Sequence, residues 1–205
     1  MSIRPLLTVA TLGCIVLTAG ALSAQTVDSL GARIPAAKSS AWEFLATGGD
    51  VIPTGHQRDV IKKGKLSAAQ LTYVAHPNLA LTATLGWART NDIASAGDPT
   101  LDVFTYDLGA ELRGNRWNEG GDVSFRPFAG AGAGARSYNY RNLDVDATHN
   151  LAAYGSAGGD LAIKRVQLRI EARDYVTGFK PLSGVGATDT RNDVVVMVGV
   201  RIAKP

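Results

Sequence analysis

Catalysis needs a nucleophile, a base or a metal in a defined arrangement, and this chain offers few candidates. Its three histidines, His56, His76 and His149, fall in segments that read as a loop, a turn and another loop. Each fits a surface position better than a ligand set or a general base. Glu43, Glu111 and Glu171 invite comparison with the carboxylate pair of a glycoside hydrolase, which must flank one scissile bond, but no activating partner accompanies them. No nucleophile elbow, phosphate loop or zinc spacing occurs. The expectation is a protein that is not an enzyme and has no cofactor or metal.

The ionisable residues have a different order. In "VQLRIEARDY", residues 166–175, Val166, Leu168, Ile170 and Ala172 take one parity, and Gln167, Arg169, Glu171, Arg173 and Tyr175 the other. Period-two alternation is the signature of a strand with two differently solvated faces. Glu43, Asp107, Glu111, Arg113, Arg136, Asp160, Arg169, Glu171, Arg173 and Arg201 all lie on the polar parity of such segments. Both signs are present, so a buried polar face could neutralise itself through ion pairs and hydrogen bonds. Isolated buried charge is too costly to persist.

The strands that must position these charges number eight. They read as Trp42–Gly49, Ala68–His76, Leu79–Arg89, Leu101–Arg113, Val123–Tyr138, Leu151–Leu161, 166–175 and a closing "DVVVMVGVRIA" from Asp193. The apolar parity carries Leu81, Leu85, Leu108, Leu112, Leu168, Ile170, Val196, Val198 and Val200. Trp42 and Trp87 fall near strand ends. "AGAGAGAR" in the fifth strand sets Ala129, Ala131, Ala133 and Ala135 against Gly130, Gly132, Gly134 and Arg136, a strand with one face too crowded for side chains. No segment after residue 40 shows a competing helical period.

The ends of the chain and its composition bound the compartment. Arg4 precedes an apolar run from Leu6 to Leu22 that closes on Ala21-Leu-Ser23-Ala24, a pattern of secretory signal peptides. Residues 1–24 are therefore expected to be a cleaved signal, 25–40 a flexible periplasmic lead-in, and 41–205 one β-domain. Cys14, the single cysteine, lies within that run, so the mature chain can form no disulfide and no cysteine metal site. Net charge is +3, and the basic cluster at Lys62, Lys63 and Lys65 lacks interleaved aromatics, which argues against nucleic acid.

Eight antiparallel strands with long and short connections alternating suggest an up-and-down meander closed into a barrel, which abolishes edge strands. Strands of this length can cross hydrocarbon, where a closed barrel satisfies every backbone group. The apolar parity would then face lipid and the charged parity the lumen. A soluble lipocalin-like carrier of apolar ligands inverts this facing, and a narrow small-solute channel keeps it; both stay open as alternatives. Eight strands leave an interior just wide enough for side chains, so a filled lumen is expected. Closure would also make Arg201 and Glu43 neighbours, and Arg169 and Glu171 could reach Glu111 or Arg113 across a narrow lumen.

Taken with the signal peptide, "GGDVIPTG", "YVAHPNLALTATLGWAR", Gly130–Gly134, "LRIEARDY" and "DVVVMVGVRI", the chain resembles the small eight-stranded outer-membrane β-barrels of the OmpA-like/OmpX-like type. The resemblance covers nearly all of the chain after its leader. Such barrels commonly end in an aromatic residue, whereas this sequence ends Ile202-Ala203-Lys204-Pro205. The resemblance implies an all-β transmembrane barrel in the outer membrane of a Gram-negative bacterium, with both termini periplasmic. It also implies insertion by the barrel assembly machinery, outer-membrane lipid as surroundings, and a monomer. Loops near 52–65, 90–100, 139–149 and 176–191 would face outside, where adhesion or recognition could occur; their composition names no partner.

Overall fold

Alternating side chains and branched residues favour extended backbone, and the described residues use little else. The computed structural model describes residues 42–164, 166–179 and 189–202. The expected signal 1–24, the lead-in 25–40 and the last three residues lie outside these. Eight strands follow in order: β1 (Trp42–Thr54), β2 (Gly64–His76), β3 (Leu79–Asn91), β4 (Thr100–Arg113), β5 (Val123–Tyr140), β6 (Thr148–Ile163), β7 (Val166–Phe179) and β8 (Asp189–Ile202). One short 3-10 turn, Gly55–Asp59, lies between β1 and β2.

Each strand pairs antiparallel with its sequence neighbours, and β1 pairs with β8, so the sheet closes into a barrel. The register keeps the two parities apart around the ring. Leu81 pairs with Ala110 and Leu85 with Tyr106 on the outside, while Thr84 pairs with Asp107 on the inside. Closure removes the unpaired N–H and C=O groups that an open sheet would leave.

The strands run further than the alternation suggested. β5 is 18 residues long and β6 is 16, and β1, β2, β3, β7 and β8 each extend into segments that read as loops. Polar residues there still pair along the ladder, because a neighbouring backbone remains available after apolar side chains stop. Thus the expected loop 52–65 shrinks to 55–63, 90–100 to 92–99 and 139–149 to 141–147, and 176–191 loses both its ends to β7 and β8. Pro53 is accommodated inside β1 because pairing to β2 ends at Val51, leaving its missing N–H on the unpaired side.

Lengths of the connections also depart from strict alternation. β2–β3 and β6–β7 have tight turns, but β4–β5 spans 114–122. That connection is ordered by a Trp117–Phe125 bridge and by Asn118 and Gly120 at positive φ. Histidine positions shift accordingly: His76 ends β2, and His149 lies within β6 with its ring 2.6 Å from Ser137 Oγ. His56 falls in the 3-10 turn.

Outside, the wall is apolar. Leu151 is 87% exposed and Leu108 70%. Leu112, Phe44, Leu85, Ile170, Leu81, Val198 and Val200 are exposed around them, an apolar area far beyond what a water-facing surface normally carries. Leu168 and Val196 belong to the same outer rows. Trp42 lies on this wall near the chain-terminal end with its ring 5.0 Å from that of Tyr73, and Trp87 lies towards the opposite end.

Candidate functional site

The inside of the barrel is where the charged residues meet. Every lumen position is set by strand parity, and the cross-barrel partners by closure. At the terminal end, Glu43 on β1 receives Arg113 Nη2 from β4 at 2.9 Å and Arg201 Nη1 from β8 at 2.6 Å. Arg113 also donates through Nε to Glu111 at 2.7 Å. One level higher, Arg169 pairs with Glu111 across the lumen, with Asp160 at 3.4 Å and with Glu171 at 3.0 Å. Arg201 donates to Gln167 as well.

Above these, Arg173 donates to Glu171 at 2.6 Å, to Asp107 at 3.2 Å and to Thr84 at 3.1 Å. The Tyr175 hydroxyl donates to the same Asp107. Arg136 pairs with Asp193. Among the described residues, five arginines (113, 136, 169, 173, 201) thus meet six carboxylates (43, 107, 111, 160, 171, 193). The near balance is what permits burial: Arg136 and Arg173 are each 1% exposed.

Aromatic rings complete the packing. Arg169 lies 3.6 Å from the Phe128 ring centre, Arg136 4.1 Å from Tyr175 and Arg173 4.7 Å from Tyr154, distances at which ring faces attract cations. The glycines of β5 make room for this layer. A Cβ on Gly132 would come within 2.6 Å of Tyr154 Cε1, and one on Gly109 of β4 would collide with the same tyrosine's hydroxyl.

Towards the loop end the lumen changes character. Val51, Leu66, Ala88, Leu101, Val103, Val195 and Met197 point inward and pack with Tyr138, Tyr140 and Ile61 into an apolar plug. Ile61 comes from the segment that follows the 3-10 turn, which therefore caps the barrel from above. Asp92 closes the rim: it is fully buried and accepts from Ser95 Oγ at 2.7 Å and from the Tyr140 hydroxyl at 2.6 Å.

The sequence predicts an inward parity of Gly, Thr, Arg, Glu and Asp, and the plug adds Leu, Val and Met to it. Inward Leu, Val and Met are stable there because they meet one another across a closed ring and touch no water. Sequence reasoning places Gln167 and Tyr175 on the polar parity of 166–175 but leaves them, with Thr84, out of the charge network that they join. It misses Asp193 and Phe128; Asp193 sits two residues before Val195 on the inward parity, so extending the alternation by one step reaches it. Among the described residues no group of three or more His, Cys, Asp or Glu is placed to hold a metal.

Comparison with known proteins gives a likeness in structure alone. No family model matches the sequence, and no curated protein matches it. The crystal structure of Neisserial surface protein A superposes with a TM-score of 0.54 at 13% identity, covering 80% of this chain and 98% of that one. The N-terminal β-barrel domain of Pseudomonas aeruginosa OprF gives 0.41 at 12%, with 77% and 96% covered. Ail, the attachment invasion locus protein of Yersinia pestis, gives 0.42 at 14%, with 77% and 93% covered. The match to the Neisserial protein extends over nearly its whole length, and with the closed ring of eight strands it shows that this chain has the fold of the small eight-stranded outer-membrane β-barrels.

Proposed function

We propose that the protein is an integral outer-membrane barrel, a monomer without catalytic activity, that holds its loop end at the cell surface for adhesion or recognition. The observation that carries this reading is the facing of the wall: Leu108, Leu112 and Leu151 outside, Arg136, Arg173 and Glu171 inside. A soluble carrier needs the opposite, an apolar cavity under a solvated wall. The loop-end rim is braced by Asp92 and by the 3-10 turn, which suits a surface that presents fixed loops.

Two features argue against a conducting role. The charge network spans the lumen from β1 to β7, and the apolar plug closes it a second time. The voids lined by Glu43, Gln70 and Arg169 below, and by Val103, Arg136 and Met197 above, each amount to about 10 Å³, room for about one water.

Membrane fractionation together with gel mobility before and after heating tests the reading. A folded barrel is expected in the outer-membrane fraction, migrating faster unheated than heated. External protease should cut within 92–99 or 141–147 in intact cells and leave the remainder protected. Recovery from the soluble periplasm, or cleavage only after the outer membrane is opened, would defeat it.

A further inference from the structure

At the chain-terminal mouth of the barrel one cation is left out of the charge network. Arg126 on β5 lies on the inward parity between buried Ser124 and Phe128, in register with Asp160 on β6. The charges facing it are Arg116 and Arg113, which repel it, and Asp160 and Glu43, which attract it. Both carboxylates are already engaged. Asp160 receives Arg169 at 3.4 Å, and Glu43 receives Arg113 at 2.9 Å and Arg201 at 2.6 Å. Arg126 forms no ion pair among the described residues, and its Nε is buried without a hydrogen-bond partner.

A walled cavity stands in front of it. Arg116, Arg126 and Lys164, with Glu119 and Asp122, line about 330 Å³ above a floor that includes Ser124. One wall is the β4–β5 connection, 114–122. Trp117 and Phe125 exchange backbone hydrogen bonds at 2.8 and 3.2 Å, with their rings 5.4 Å apart. Asn118 Nδ2 donates to the Val123 carbonyl at 2.7 Å, and Arg116 Nη1 to the Ser124 hydroxyl at 3.2 Å. The other wall is the β6–β7 turn, joined to the first where the Lys164 amide donates to the Asp122 carbonyl at 3.3 Å. Ordered walls lower the cost of holding a ligand. Because Ser124 and Arg126 face inward, the cavity belongs to the mouth of the lumen and not to the wall that meets lipid.

The two signs of charge are placed differently. Arg126 and Arg116 are half-buried, whereas Glu119 and Asp122 are exposed at the edge. Paired guanidinium groups suit a carboxylate, which they can bind bidentately. The acids at the edge repel a dense anion such as phosphate and attract an ammonium group. We propose that this mouth binds a small zwitterion of the amino-acid or short-peptide type, its carboxylate on Arg126 and Arg116 and its ammonium at Glu119 and Asp122. A cavity of about 330 Å³ is at the small end of ligand sites, which suits a dipeptide and excludes a folded partner. That the mouth opens to the periplasm rests on the integral-barrel reading.

The test uses the full mature protein folded in detergent micelles and titrated calorimetrically with alanylalanine, its C-terminal amide, its N-acetyl form and inorganic phosphate. Alanylalanine is expected to bind, and the amide to bind about tenfold or more weakly, as for loss of a charge-assisted hydrogen bond. The N-acetyl form and phosphate should also bind more weakly than the dipeptide. Arg126→Gln breaks no ion pair, so it should keep heat-dependent gel mobility and remove the preference for the dipeptide over its amide. Glu119→Gln with Asp122→Asn should remove the preference over the N-acetyl form. No binding of alanylalanine to a folded barrel, equal binding of the amide or of phosphate, or an undiminished preference in Arg126→Gln overturns the site alone. A protein that shows no heat-dependent gel mobility in micelles overturns the integral-barrel reading and the site together.

Discussion

Glu171 illustrates how much a single lumen side chain is asked to do. It accepts from Arg169 on one oxygen and from Arg173 on the other, and both arginines are buried. Glu171→Gln keeps the shape and removes the charge, leaving two guanidinium groups competing for Glu111, Asp160 and Asp107. Breaking a buried pair in this way costs about 3–5 kcal/mol, read as a fall in the urea midpoint of refolding into micelles. The neighbouring outward residue supplies the contrast. Ile170→Lys places a charge on the lipid face and should cost about 2–4 kcal/mol if it lies near the bilayer midplane, but should recover towards wild type when the protein is moved from bilayers to a loose micelle. Equal sensitivity of Ile170→Lys in the two media would contradict the facing of β7. The pair also separates two meanings of one pattern: alternation in 166–175 was legible from residue types, but it is the same for a barrel in lipid and a barrel in water. Only the facing distinguishes the two, with the arginines and carboxylates buried inside and the leucines of the other strands exposed outside.

At the scale of elements, what the sequence carried best was strand number and parity, and what it carried worst was strand ends. Parity is local, because each residue's face follows from its neighbour's. An end is set by whether the adjacent strand still offers partners, as at Pro53 and along 139–140, and that depends on residues far away in sequence. The same limit hid the plug: Leu66, Val103 and Met197 are each an ordinary exception to polar-inward parity until closure brings them together. The fit of β5 to β6 is a long-range effect that can be tested. Gly132 pairs with Tyr154, and a Cβ there would meet both the Leu108 carbonyl oxygen and, at 2.6 Å, the Tyr154 ring. Gly132→Val should destabilise the barrel by about 1–3 kcal/mol, the usual cost of overpacking. Adding Tyr154→Ser should recover part of the loss, a coupling that a double-mutant cycle reads directly. Additive losses would mean that the Leu108 carbonyl, and not the ring, excludes a side chain at Gly132.

For the whole molecule, the decisive property is that the lumen is closed twice by different physics. The lower seal is ionic, with Arg173, Glu171, Asp107 and Arg169 joined wall to wall; the upper is apolar, with Leu101, Val103, Tyr138 and Ile61 at the loop end. Two seals in series conduct only if both are breached. Purified wild-type protein in a planar bilayer should therefore show no defined unitary current. Arg173→Ala alone opens polar space but leaves the apolar layer dry, and Val103→Ala alone thins the apolar layer but leaves the ion pairs spanning the lumen, so each single variant should also stay silent. The combined variant should conduct, with small steps and a dependence on salt from the charges that remain. A unitary current from the wild type would overturn the filled-barrel reading outright. Current from Arg173→Ala alone would mean that the apolar layer is no barrier and that the charge network is the whole seal. Silence from the combined variant, in a barrel shown to be folded by its gel mobility, would mean that neighbouring side chains such as Tyr154 and Tyr175 collapse into the space released, as expected if the lumen is packed like a protein interior and not lined like a pore.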